Sequence, residues 1–158
     1  MNWLNIYQSL EKINNVLKTL PKICTIVYTY GAWDLLHPGH VILLTRARDL
    51  GDFLIVGVVA DGPIRDLKGT DRPIQLQNER MITVSSIRCV DAVIAQPKYN
   101  PSDQLKNLTR VNILTKGDDW DYIPGEETIN KLGGKLIKLG YSKDYSTSSL
   151  ISQINLSK

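Results

Sequence analysis

Histidine and cysteine are scarce in this chain, two of each in 158 residues, and phenylalanine occurs once. Two cysteines are too few for a disulfide-stapled scaffold. Neither Cys24 nor Cys89 has the CxxC or Cys/His spacing that binds zinc, so both are expected to be buried, reduced thiols. No apolar run approaches the roughly 20 residues needed to span a bilayer. The N-terminus has neither the basic start nor the continuous apolar core of a secretory signal, and the cytoplasm is the expected compartment. A strong charge is also missing: the net value is +3, with Lys and Arg scattered along the chain. That suits small anionic substrates and gives no footprint for nucleic acid. Two common nucleotide signatures, the GxxxxGK[ST] loop and the GxGxxG turn, are absent as well.

What remains is an ordinary globular composition, 42% hydrophobic and 22% charged, at a length that suits one domain. Apolar residues at Trp3, Ile6, Tyr7, Leu10, Ile13, Leu17 and Leu20 step by three and four, which predicts an amphipathic helix over 3–20, ahead of Pro21. Such a helix packs either on the domain's own flank or on a partner. Strands and helices then alternate. Strands are expected at 24–30, 53–60, 92–95, 111–115 and 135–139. Helices are expected at 38–50, 77–89, from Pro101, at 125–132 and after Ser146. Gly62, Pro63, Gly69 and Pro73 mark residues 61–76 as a long loop, more often functional than idle. The alternation argues for one α/β domain with a five-stranded, parallel, doubly wound sheet over 22–158, preceded by the helical segment 1–21. Ligands of such sheets sit beyond the carboxyl ends of the strands. Residues 31–40, 61–72, 116–121 and 141–148 are expected there.

Both histidines fall in one of those segments, Gly31-Ala-Trp-Asp-Leu-Leu-His-Pro-Gly-His40, at a strand-to-helix junction. Three residues apart on a first helical turn, His37 and His40 share a side, next to backbone N–H groups that favour phosphate. Gly39 between them permits close approach of a phosphate to the backbone. Nucleotidyl transfer asks a protein mainly for positioning and charge stabilisation, and two imidazoles at a helix start can supply both. Asp34 is expected to fix the turn into the helix. A Ser/Thr cluster at 146–148 is by itself a helix cap, and beside a histidine pair a phosphate site.

Gly31-x-x-Asp34-x-x-His37-x-Gly39-His40 resembles the cytidylyltransferase-like branch of the HxGH nucleotidyltransferases, from about Lys22 onward. The resemblance implies a Rossmann-like fold, direct attack of an acceptor phosphate on the α-phosphorus of an NTP, pyrophosphate release and dependence on Mg2+. It also implies that Tyr145, Ser146, Thr147 and Ser148 bind nucleotide phosphates, along with Tyr30, Gly31, Ala32, Trp33, Gly39 and the histidines. Leu67-Lys-Gly-Thr-Asp-Arg-Pro-Ile74 resembles the adenylyltransferase part of bacterial ADP-heptose synthases, where the lysine contacts substrate phosphates. Lys68 is thereby implied as a catalytic residue with His37 and His40, and Asp34, Lys68 and Arg80 as acceptor-binding residues. Arg80 can instead pair with a carboxylate that shapes the loop. Lys116-Gly-Asp-Asp-Trp120 and Tyr30-Gly31 are closer to glycerol-3-phosphate cytidylyltransferases. They suggest nucleotide contacts from Lys116, Gly117 and Asp119, with Trp120 against the base or acceptor. The expected ligands are ATP or CTP and a sugar or polyol phosphate, without nucleic acid or membrane. No residue is singled out as a metal ligand, the Mg2+ being carried mainly by NTP phosphates, and a homodimer is expected.

Overall fold

The computed structural model describes residues 5–118, 121–140 and 145–156. Along the chain run β1 (Ile6–Tyr7), α1 (Leu10–Thr19), β2 (Ile26–Gly31), α2 (Pro38–Arg48), β3 (Phe53–Val59), α3 (Asp61–Lys68) and α4 (Gln77–Ser85). Then follow β4 (Ala92–Gln96), α5 (Ser102–Asn107), β5 (Ile113–Gly117), α6 (Glu126–Lys131), β6 (Lys135–Leu139) and α7 (Thr147–Leu156). The strands form one parallel sheet in the order β1-β4-β3-β2-β5-β6. No helix among the described residues is long and apolar enough to cross a membrane.

Successive residues of a strand point to opposite faces, and both faces here are covered. Ile26, Tyr28 and Tyr30 of β2, with Ile55 and Val59 of β3, meet Ile13 and Leu17 of α1, Ile64 of α3, Leu105 of α5 and Ile129 of α6. Val27, Leu54, Val56 and Val58 face the other way, onto Leu44 and Ala47 of α2 and Met81 and Val84 of α4. The continuous apolar run of β3, and that of β2 broken only by Thr29, follow from that double burial.

Four expectations are corrected. The sheet has six strands, because Ile6 and Tyr7 pair with Val93 and Ile94 on the open edge of β4. The first helix accordingly starts only at Leu10, where Ser9 caps it by accepting from the Lys12 amide at 3.3 Å; Trp3 lies outside the described residues. Its buried face, Ile13 and Leu17, belongs to the domain's own core, each side chain contributing about 1.5–3 kcal/mol on burial.

Residues 61–68 form helix α3 where a loop was expected. Pro63 falls in its first turn, where a missing N–H breaks no intrahelical bond. Ile64 anchors it in the core, and Gly69, at φ 97°, ends it. The true loop is 69–76. Cys24 and Cys89 are free and only half-buried.

The chain runs β2, β3, β4 outward in one direction, then returns to lay β5 and β6 on the far side of β2. The strand order therefore switches between β2 and β5, and the crevice for a ligand lies beyond their carboxyl ends.

Candidate active site

At that switch point opens a cleft of about 420 Å³, lined by Tyr30, Gly31, Ala32, Trp33, Asp34, His40, Leu43, Lys68, Arg72, Tyr99, Lys116, Gly117 and Thr147. β2 ends in its floor, α2 starts at its back, and the end of α3 with the 69–76 loop forms one wall.

His37 caps α2 in extended conformation, with Pro38 next in the first turn. The two imidazoles stack, centroids 3.7 Å apart and planes 24° from parallel. Trp33 meets His40 edge-on at 5.3 Å. Gly39 sits close against its neighbours: a Cβ there would lie 3.1 Å from the His37 ring and from Cβ of Tyr145, tight enough that one of them would have to give way slightly. Burial lowers the pKa of His37. Burial, with repulsion from His37 when that ring is protonated and from Lys68, pushes His40 down to about 3. Both rings are neutral at pH 7. Their Nδ1 atoms are buried without a hydrogen-bond partner among the described residues.

His37 opens on a second cavity, of about 310 Å³, between the starts of α2 and α7; Pro38, Tyr145, Ser146, Ser149, Leu150 and Gln153 complete it. Ser146 caps α7 by accepting from the Ser149 amide at 3.0 Å. Thr147 ties this helix to the other wall, its hydroxyl donating to the Asp34 carbonyl at 2.9 Å.

The segment 33–35 is sharply bent, with positive φ at Trp33 (56°) and Leu35 (46°). Such conformations cost about 1–3 kcal/mol each and need support from their surroundings. The Trp33 indole donates to the Gly57 carbonyl at 3.0 Å, and the Leu35 amide donates to Gln75 Oε1 at 2.9 Å. Asp34, buried, accepts the amides of Ile74 at 2.9 Å and Gln75 at 3.0 Å, and pairs with Arg72 at 3.4 Å. Its carboxylate thus holds the 69–76 loop against the α2 entry.

Arg80 is fully enclosed. Its guanidinium donates to the carbonyls of Gln75 at 3.0 Å, Val59 at 2.8 Å and Ala32, and to Asp61 at 2.5 Å. It lines neither cavity: the side chain fastens the ends of β2 and β3 to α3 and the loop, which is the carboxylate-paired alternative.

On the β5 side Lys116 is buried, donating to the Tyr30 carbonyl at 3.1 Å with Nζ 4.2 Å from the Tyr30 ring centroid and 5.5 Å from that of Tyr99. Tyr30 in turn donates to the Pro124 carbonyl at 2.9 Å. Ten expected positions thus meet in the main cleft: Tyr30, Gly31, Ala32, Trp33, Asp34, His40, Lys68, Lys116, Gly117 and Thr147. His37, Tyr145 and Ser146 line the adjoining cavity. Ser148 is exposed and lines neither. Asp119 and Trp120 lie outside the described residues. Leu43, Arg72 and Tyr99 were not anticipated. The one available signal was position, since Arg72 and Tyr99 follow β3 and β4 at the ligand-binding end of the sheet.

The fold and its switch-point cleft define a Rossmann-like domain of the nucleotidyltransferase type. More closely, the chain belongs to the cytidylyltransferase-like family, whose model matches residues 28–153. The bifunctional protein HldE of Helicobacter hepaticus is 36% identical over 151 residues, an alignment covering 95% of this chain and 30% of that protein. HldE of Syntrophotalea carbinolica is 33% identical over 153 residues, covering 96% and 31%. The chain spans about three-tenths of the length of these curated relatives. Among solved structures, a lipopolysaccharide core biosynthesis protein from Thermoplasma volcanium GSS1 matches with a TM-score of 0.66 at 27% identity, over 76% of this chain and 99% of that one. Pantoate-beta-alanine ligase from Francisella tularensis shares the fold, with a TM-score of 0.63 at 14% identity over 97% and 77% of the two chains.

Proposed function

We propose that this chain transfers AMP from ATP to a sugar 1-phosphate, D-glycero-D-manno-heptose 1-phosphate, releasing pyrophosphate and giving ADP-heptose. The observation that carries the reading is the stacked His37–His40 pair at the start of α2, beside a cleft lined by Lys68, Arg72 and Lys116. Its substrate half rests on the likeness of residues 67–74 to ADP-heptose synthases and on the HldE relatives.

In this mechanism an oxygen of the acceptor phosphate attacks the α-phosphorus, so no enzyme nucleophile is needed. Negative charge grows on the α-phosphate oxygens and on the leaving pyrophosphate, and fixed donors aimed at those oxygens lower the barrier. Neutral imidazoles act here through N–H groups. With both Nδ1 atoms buried and without a partner among the described residues, the Nε2–H tautomer leaves an orphan acceptor instead of an orphan donor, the less costly arrangement. His40 lines the main cleft and His37 the adjoining cavity, and in this mechanism each Nε2–H is offered to a phosphate held there. The α7 helix start at Ser146–Ser148 holds the leaving phosphates, and the backbone at Gly31 and Ala32 lines the α-phosphate. Among the described residues no group of three or more His, Cys, Asp or Glu side chains is placed to hold a metal. Mg2+, carried on the NTP phosphates, would neutralise charge on the leaving group.

The Lys116-Gly-Asp118 strand end and Tyr30-Gly31 favour a second reading, a CTP-dependent transferase acting on glycerol 3-phosphate. A nucleotide-binding protein without turnover is the third, and the retained histidine pair speaks against it. We place the activity in the cytoplasm, with its NTP, in a homodimer, whose mass light scattering measures.

The test is pyrophosphate release with Mg2+ across ATP, CTP, GTP and UTP, each with heptose 1-phosphate and glycerol 3-phosphate. Turnover confined to ATP with the heptose supports the proposal. Turnover with CTP and glycerol 3-phosphate replaces the substrates and leaves the chemistry. Nucleotide binding without release in any combination retires transfer in favour of the binding reading.

A further inference from the structure

Two arginines belong to the segment that follows α3, and their surroundings differ. Arg80 has its guanidinium committed to four acceptors of the protein itself. Arg72 is also largely enclosed, its side chain 13% exposed, yet its ion pair with Asp34 is long at 3.4 Å. Its Nε is buried with no hydrogen-bond partner among the described residues. Asp34 does not fully answer it, because the same carboxylate accepts two backbone amides. A guanidinium presents five donors in a planar fork and is matched by a carboxylate or phosphate. Nε is the atom turned to Asp34, and Arg72 also lines the cleft, so the two terminal nitrogens of its fork are the donors left for an anion arriving there.

Topology tells which anion. Lys68 and Arg72 follow β3, whereas Lys116 and Gly117 end β5, and β2 with the histidine segment lies between them. The start of α7 and its cavity adjoin His37. In-line displacement requires the attacking and leaving oxygens on opposite sides of the α-phosphorus. If the transfer reading puts the leaving phosphates in the cavity at His37 and Ser146, the Lys68–Arg72 wall of the main cleft is assigned to the attacking group.

We infer that Arg72 is a ligand of the acceptor's phosphate, with Asp34 as its positioning residue. This deepens the transfer reading above and rests on it for the reaction. The acceptor's phosphate oxygen forms the new bond to the α-phosphorus, the bond from that phosphorus to the β-bridging oxygen breaks, and the electron pair leaves with pyrophosphate. Arg72 keeps its protons throughout.

The experiment compares wild type with Arg72→Gln and Arg72→Lys, using whichever NTP and acceptor the wild type turns over. Arg72→Gln is expected to raise the acceptor KM roughly 30-fold, the loss of a charge-assisted contact, and to move the NTP KM less than about 2-fold. Arg72→Lys keeps the charge beside Asp34 and loses the fork, so its acceptor KM falls between the other two. A variant that merely loosens the loop moves both constants together, and that result overturns the inference, as does an unchanged acceptor KM. If Arg72→Gln does not fold, the same split in Arg72→Lys decides. If the wild type turns over nothing, calorimetric titration with heptose 1-phosphate, glycerol 3-phosphate and inorganic phosphate takes its place. Binding of any of them that weakens in the Arg72 variants supports the inference while the transfer reading fails. Binding indifferent to Arg72, or none by the wild type, overturns it.

Discussion

Replacing Arg80 with methionine separates a clamp from a substrate contact. The side chain is fully enclosed, and its guanidinium joins three carbonyls and Asp61 across four segments of chain. Methionine fills a similar stem volume and supplies no donor. The carbonyls of Val59, Ala32 and Gln75 lose a partner, and Asp61 is left without its counter-charge. Breaking a buried pair from one side costs about 3–5 kcal/mol. Asp61, 20% exposed, regains some water, which places the loss at the lower end, about 3 kcal/mol. In a domain of this length each kcal/mol shifts Tm by roughly 2–4 °C, so Arg80→Met is expected to melt about 6–12 °C below wild type. Thermal unfolding followed by circular dichroism measures this, and an Asp61→Asn variant, alone and combined, yields the coupling between the partners. A Tm within about 2 °C of wild type together with a raised acceptor KM would refute the clamp and make Arg80 a substrate ligand.

Three further outcomes follow from the same geometry. His40→Ala is expected to lower kcat by at least about 100-fold while NTP affinity, by equilibrium titration, changes only a few-fold, because the contact strengthens in the transition state; equal losses in both would remove that role. With only two histidines in the chain, an NMR titration resolves each ring. Both folded pKa values lie below the usual 6.5, so the neutral form is favoured by folding. The stability it contributes is complete above about pH 6.5 and declines as acid drives the pH down towards His40's value of about 3. Either ring titrating at or above 6.5 contradicts the burial argument. Ile13→Ala, at a fully buried position of α1, is expected to cost about 2–4 kcal/mol in denaturant unfolding; a neutral result would mean that α1 is not integral to the core.

The local signals in the sequence determined a good deal. Apolar runs and their breaks located the main strands, because a strand buried on both faces tolerates no polar alternation. Pro38 and Ser146 marked the starts of α2 and α7, because helix ends need their amides capped or absent. The His37–Gly39–His40 spacing put two imidazoles on one turn. Tertiary structure decided what depended on distant partners. Ile6 and Tyr7 became a strand only because β4 had an open edge to pair with, and their three- and four-residue spacing also suited a helix. Gly62 and Pro63 permitted either loop or helix, and the core site for Ile64 selected helix. Arg72 and Arg80 are chemically identical side chains eight positions apart. One was matched by carbonyls and Asp61 from remote segments, the other faces the cleft beside Asp34, and that division exists only once β2, β3 and the loop converge, since a guanidinium's role is set by the acceptors within its reach.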